Sequence, residues 1–366
     1  MKRSITLKFL PYLLPVLLLA TISSCKKDEN NKLIVTAGKY ENGFFILNEG
    51  SYQTLNGNVS YFDYGTGKLT DSAFTKENPD KSFAPNTTSL ESGTIFNHKI
   101  YLLVKGGGPL VVTDELTLKE TGRIAASMDN DWRSFIALDN NNGLVSTAKG
   151  IYPLNLSTLA LGTKIAGVDG EVGDMIKAGN YIFVLSQTDG VVILKADFSI
   201  AKKIADLDVA FAKGKDGSIW AAGSNQLVSI DPVTLTVKNI AVPFVINGSW
   251  GAWHTGSITA STTDDAIFLA KNEQYNGGTE IYKYTATNAA SFTTPFIKIP
   301  DGKEMYGQGI SYNAKLNQLI VTTVKSGYGE NFKVNDLYFY DTATGAQKAD
   351  VAYTGLYFPA MPLFHQ

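Results

Sequence analysis

The chain has 366 residues, 32 Lys and Arg against 34 Asp and Glu, and a formal net charge of −2 at pH 7. Near-neutral charge with no long basic run supplies no electrostatic footprint for nucleic acid or for an anionic membrane surface. A single cysteine excludes an internal disulfide framework, so an exported domain must stand on its core alone, for which 19 Phe and 18 Tyr provide material.

The chain begins like a targeting segment. Lys2 and Arg3 precede an apolar run from Phe9 to Ala20, followed by Ile22-Ser23-Ser24-Cys25. That is a signal-peptide layout with an apolar run too short for a membrane span. The last four residues resemble a bacterial lipobox, which implies diacylation of Cys25 and a mature chain that starts there. Lys26-Lys27-Asp28-Glu29 resembles the charged tag of Bacteroidetes lipoproteins displayed on the outer leaflet of the outer membrane, a solvated linker being the plainer alternative. The expected organisation is a signal peptide over 1–24, a lipidated linker over 25–40 and one domain over 41–366.

From Gly43 onward apolar residues alternate or run for four to eight positions between Gly, Asn, Asp and Lys, and no helix of ordinary length is expected. One phrase returns: an apolar strand, Asp, a turn, Thr, then another strand. It reads Ile230-Asp231-Pro232-Val233-Thr234-Leu235-Thr236-Val237, with variants around Asp63, Asp114, Asn155, Asp197 and Asp341. A return every 35 to 60 residues or so is the spacing of propeller blades or solenoid units. Seven units can be written, over 43–74, 93–124, 135–165, 174–204, 209–242, 257–299 and 309–351, each with room for four short strands. The expected fold is all-β, a seven-bladed β-propeller, with six or eight as the error of the count. Residues 357–364 make one strand-length piece with no hairpin of its own, expected to complete the first blade and close the ring.

Four stretches carry a resemblance: Asn48-Glu49-Gly50 after Gly43-Phe44-Phe45-Ile46-Leu47, the Asp and Thr phrase, Gly307-Gln308-Gly309-Ile310 leading to Leu319-Ile320-Val321-Thr322-Thr323-Val324, and Tyr357-Phe358-Pro359-Ala360-Met361-Pro362. Together they resemble a YncE-like family of Bacteroidetes surface lipoprotein propellers, long catalogued as a domain of unknown function. The family includes BtuG-type proteins that capture cobalamin and pass it to a TonB-dependent outer-membrane transporter. The resemblance implies a surface lipoprotein with a corrinoid as cargo, such a transporter as partner and no resident cofactor.

The residues themselves favour binding over catalysis. His98, His254 and His365 form no metal-spaced pair, Gly248-Ser249-Trp250-Gly251 lacks the spacing of a nucleophile elbow, and the glycine runs lack that of a phosphate loop. His98 and His365 read as surface residues, and Trp220 as a core residue of its strand. In a propeller the loops between blades share one face with the loops between second and third strands. That face is expected to gather Tyr52, Trp132, Arg133, Trp250, Trp253, His254, Tyr275, Tyr306, Tyr328, Phe332 and Tyr357, while the opposite face is poor in aromatics. Aromatics with polar tips beside amides and cations compose a recognition surface. A surface protein that captures cobamides is the leading expectation. A glycan-binding propeller, a lyase or hydrolase in the central channel, and an adhesive lipoprotein are the alternatives. Asp71-Ser72-Ala73 and Asp341-Thr342-Ala343 resemble a short O-glycosylation sequon and read equally as turns.

Overall fold

The recurring phrase folds into a shared turn at four of its places in a computed structural model that describes residues 38–250, 252–273 and 278–365, and into a shorter turn at Asp197. At Asp114, Asn155, Asp231 and Asp341 the side-chain Oδ1 accepts the backbone N–H groups two and three residues ahead, at 2.7–3.1 Å. The hydroxyls of Thr117, Thr158 and Thr344 donate to the same oxygen. The fifth residue then turns left-handed, at Leu118, Leu159, Leu235 and Gly345, and its N–H returns to the carbonyl of the first. A leucine in that conformation costs about 1–2 kcal/mol. Leu118 is fully buried, and burial of a leucine contributes about 1.5–3 kcal/mol, enough to hold the turn.

These turns join the third and fourth strands of small antiparallel sheets. There are seven sheets among the described residues, six of them four-stranded. Blade I has the order Pro359–Phe364, Gly43–Ser51, Leu55–Asp63, Lys68–Thr70, so the last strand of the chain is innermost and the first strand lies second. The innermost strands of blades II to VII are Ser89–Phe96, Trp132–Ala137, Val172–Ala178, Phe211–Lys213, Ile258–Ala260 and Lys303–Asn313. The expected seven-bladed propeller and its closure by the C-terminal strand are therefore present, with Phe45 opposite Leu363 and Ile46 opposite Pro362. Core clusters fill the spaces between neighbouring blades.

Blade III departs from the pattern. Its fourth strand is an irregular lane, joined to Gly150–Asn155 by a single bridge from Leu161 to Leu154 and by bonds from Gly162 N to Pro153 O and Ile165 N to Ile151 O. Pro153 has no N–H to complete an outer ladder there.

The unit that contains the propeller begins at Gly38. Tyr40, expected in the linker, is 2% exposed and packs against Phe45 and Tyr61. His365 is not a free surface residue: its ring nitrogens lie 2.6 Å from Glu115 and 2.8 Å from the Tyr40 carbonyl, tying the end of the closing strand to the entry of the domain. Thr342 is 1% exposed and its hydroxyl bonds to Asn317, which removes it as a glycosylation acceptor. Trp220 is half-buried, beside Tyr284. Cys25, the signal peptide and the charged tag lie outside the described residues.

Candidate functional site

The innermost strands lose their register where they enter from the mouth. Slips fall between Leu90 and Ser92 in blade II, Trp132 and Phe135 in blade III, Val172 and Met175 in blade IV, and Met305 and Ile310 in blade VII. A bulge leaves residues outside the ladder and re-aims their side chains. Glu91, Arg133, Asp174 and Tyr306 are all delivered this way. Gly307, at φ 62°, passes so close to the closing strand that a Cβ would stand 2.3 Å from the Ala360 carbonyl oxygen.

The bulges build a buried polar nest beneath the mouth. Lys105 pairs with Glu91 at 2.7 Å and donates to the Trp253 carbonyl at 2.5 Å. Glu49 lies beside Glu91 and is hydrogen-bonded to the Tyr306 hydroxyl. Burial, reinforced by Glu91 and opposed by Lys105, pushes the Glu49 carboxyl up to about 8. Burial works to lower Lys105, but Glu91 and Glu49 hold it above the usual lysine range. Burial, then Glu49, raises Tyr306 well above a normal phenol, whereas burial lowers His254 and keeps it neutral at pH 7. Arg133 forks onto Asp131 at 3.0 and 3.1 Å, reaches Glu171 at 3.1 Å, and lies 5.5 Å from the Trp253 ring centroid.

Above the nest a cavity of about 650 Å³ opens between blades V, VI and VII. One wall is aromatic. Tyr306 stacks on Phe358 at 4.5 Å, Phe358 meets Phe332 at 4.8 Å, and Phe332 meets Tyr328 edge-on at 6.4 Å. Phe358 adopts a left-handed φ of 58°, held by its N–H to Phe332 O and by Glu49 N–H to its own carbonyl. The wall across carries Asn247, Ser249, Asn272 and Ser224, with Trp250 and His254 at its base. Gly173 makes room there, since a Cβ would stand 2.6 Å from Trp253 Nε1 and 3.2 Å from the Trp250 ring. The buried indole N–H groups of Trp250 and Trp253 meet no acceptor among the described residues.

Of the residues expected at the mouth, Trp250, His254, Tyr306, Tyr328 and Phe332 line this cavity together. Tyr52 is 68% exposed on the turn between the second and third strands of blade I and is not among the residues that line the cavity. Three expectations are corrected by burial. Trp132 is fully buried in the core between blades II and III, its indole donating to Gly108 O at 2.9 Å. Trp253 is 1% exposed and serves as a platform for Arg133, itself locked by two acids. Tyr357 is packed under Lys333 with its hydroxyl on Glu330, so Phe358 and not Tyr357 faces the cavity. Tyr275 lies outside the described residues. The opposite face is less bare than expected, carrying Tyr64, Phe198, Phe292 and Phe296, each packed onto a core cluster. Sequence reading missed Glu49, Glu91 and Phe358. Their signals were a charge inside an apolar strand, twice, and an aromatic just before Pro359. Among the described residues no group of three or more His, Cys, Asp or Glu could hold a metal ion.

A family model described as a domain of unknown function, DUF5074, matches residues 42–365. The sequence matches none of the curated proteins. Among solved structures, a quinoprotein alcohol dehydrogenase-like protein from Bacteroides thetaiotaomicron superposes with a TM-score of 0.70 at 18% identity, over 89% of this chain and 78% of that one. The dihydro-heme d1 dehydrogenase NirN, solved with DHE, gives 0.53 at 10% identity, over 85% and 73%. Hsv2p of Kluyveromyces lactis gives 0.50 at 9%, over 86% and 96%. At these identities the likeness is one of fold.

Proposed function

Because the chain belongs to the DUF5074 family, a domain of unknown function, and carries an aromatic-walled mouth on a rigid ring, we propose that it captures a medium-sized planar ligand at the cell surface. The ligand class we assign is the cobamides, bound without chemical change and passed to a TonB-dependent outer-membrane transporter. Cys25 would carry the lipid that holds the domain at the outer membrane. The observation that supports this reading is the stacked run Tyr306, Phe358, Phe332 facing amides and hydroxyls across about 650 Å³. Pockets of roughly 300–1,000 Å³ with apolar walls and a few placed polar groups are the usual form of small-molecule sites. A flat macrocycle stacks on the rings and its peripheral amides reach Asn247 and Asn272. Binding fits better than catalysis because the paired carboxylates Glu49 and Glu91 are 6% and 1% exposed, beneath Tyr306 rather than in the cavity.

Isothermal titration with cobinamide and cobalamin tests the assignment. Saturable binding at micromolar protein is expected, and no heat with either corrinoid overturns it. Sugars also stack on such walls, so a glycan array run beside the titration separates the two ligand classes.

A further inference from the structure

The cavity is chemically lopsided. Among the described residues that line it, the acids are Asp208 and Glu304, and none is Lys or Arg. Lys105, Lys271 and Lys303, on the elements that frame it, are paired with Glu91, Glu280 and Asp336. The cavity also continues outward on the side across from its aromatic wall. Asp208 and Ser224 are shared with a second hollow of about 420 Å³ whose other walls are Asp206, Asn225 and Gln226. Neither Asp206 nor Asp208 forms an ion pair among the described residues, and Asp208 Oδ1 is buried and accepts no hydrogen bond. The rest of the half-buried Asp208 side chain lines both hollows, where a bound N–H meets an acceptor that no cation already holds. Burial correspondingly pushes the Asp208 carboxyl above the ordinary aspartate range.

Resting on the capture reading, we propose that the Asp208 end selects for ligands that present neutral or cationic N–H donors, amides above all, and rejects carboxylates at the same positions. The aromatic wall holds the flat part of the ligand and is indifferent to peripheral charge. The acid end supplies the discrimination. A carboxylate brought against Asp208 suffers like-charge repulsion, whereas an amide N–H at the same place gains an acceptor.

The test compares two corrinoids that share one macrocycle: cobinamide, with peripheral amides, and cobyrinic acid, with carboxylates in their place. Titrations run at pH 7 on the wild type and on Asp208→Asn, a near-isosteric change to a side chain with no ion pair to lose; its thermal midpoint serves as the folding control. Cobinamide should bind at least about tenfold more tightly than cobyrinic acid, and the ratio should fall several-fold in Asp208→Asn. Equal affinities, or a ratio unchanged in Asp208→Asn, overturn the selectivity while leaving capture in place. Binding of neither corrinoid removes the capture reading and this inference with it.

Discussion

Trp132 and Phe358 show how differently two aromatic side chains can be used on one scaffold. Trp132 fills the space between two blades and gives its N–H to Gly108. Trp132→Ala should therefore destabilise by about 3–5 kcal/mol, read from denaturant unfolding. Phe358→Ala should instead weaken ligand binding by about tenfold or more, read by calorimetry, because it removes the middle ring of the stack. Glu49 adds a pH dependence. Its ordinary value is 4.5 and the native value is about 8, so between these limits the native state holds a proton that the unfolded state has released. Stability then falls as pH rises across that window, and above it the penalty is constant. Glu49→Gln should flatten this slope, leaving stability below pH 4.5 nearly unchanged and raising it above pH 8. Thermal melts across pH test the sign. A wild-type slope that persists in the variant would assign the effect to another group.

At the scale of the element, the repeated turn is both the signature that revealed the fold and a local source of stability. The side-chain hydroxyl and backbone N–H of Thr344, then the N–H of Ala343, hold the Asp341 carboxyl down at about 2. Its contribution is complete above the unfolded value of 3.8 and is lost as pH falls through about 2. Asp341→Ala should lower the melting temperature at pH 7 and lower it less at the acid end of the range, whereas Asp341→Asn should keep most of the turn, as Asn155 does at the same position in blade III. The bulges on the inner strands are elements of the opposite kind. They leave no periodic trace, because an inserted residue reads in sequence as one break in alternation.

For the whole molecule, fold and site were legible to different depths. Blade number could be read because a phrase built on Asp or Asn returns in six of the seven described sheets, and because the strands between keep short apolar runs bounded by turn residues. The gathering of Trp250, His254, Tyr306, Tyr328 and Phe332 followed from topology alone, since alternating strands send those loops to one face. Depth was not legible. Nothing in Trp132-Arg133 distinguishes an indole on a rim from one sunk between sheets, and the difference is made by Gly108 and Tyr101, distant in sequence. The acidic floor was hidden for a related reason: Glu49 and Glu91 each look like one interruption in a strand until the ring sets them side by side.

The pairing of Phe45 with Leu363 also bears on the timing of assembly. The sheet that starts the ring is missing its inner lane until the far end of the chain has been made and delivered, so a nascent chain carries an unsatisfied row of backbone donors and acceptors throughout its synthesis. Such long-range pairing is slow, and the exposed row invites association with neighbouring chains. A chaperone that shields Gly43–Ser51 until the last strand arrives would act on the step where the molecule is most vulnerable.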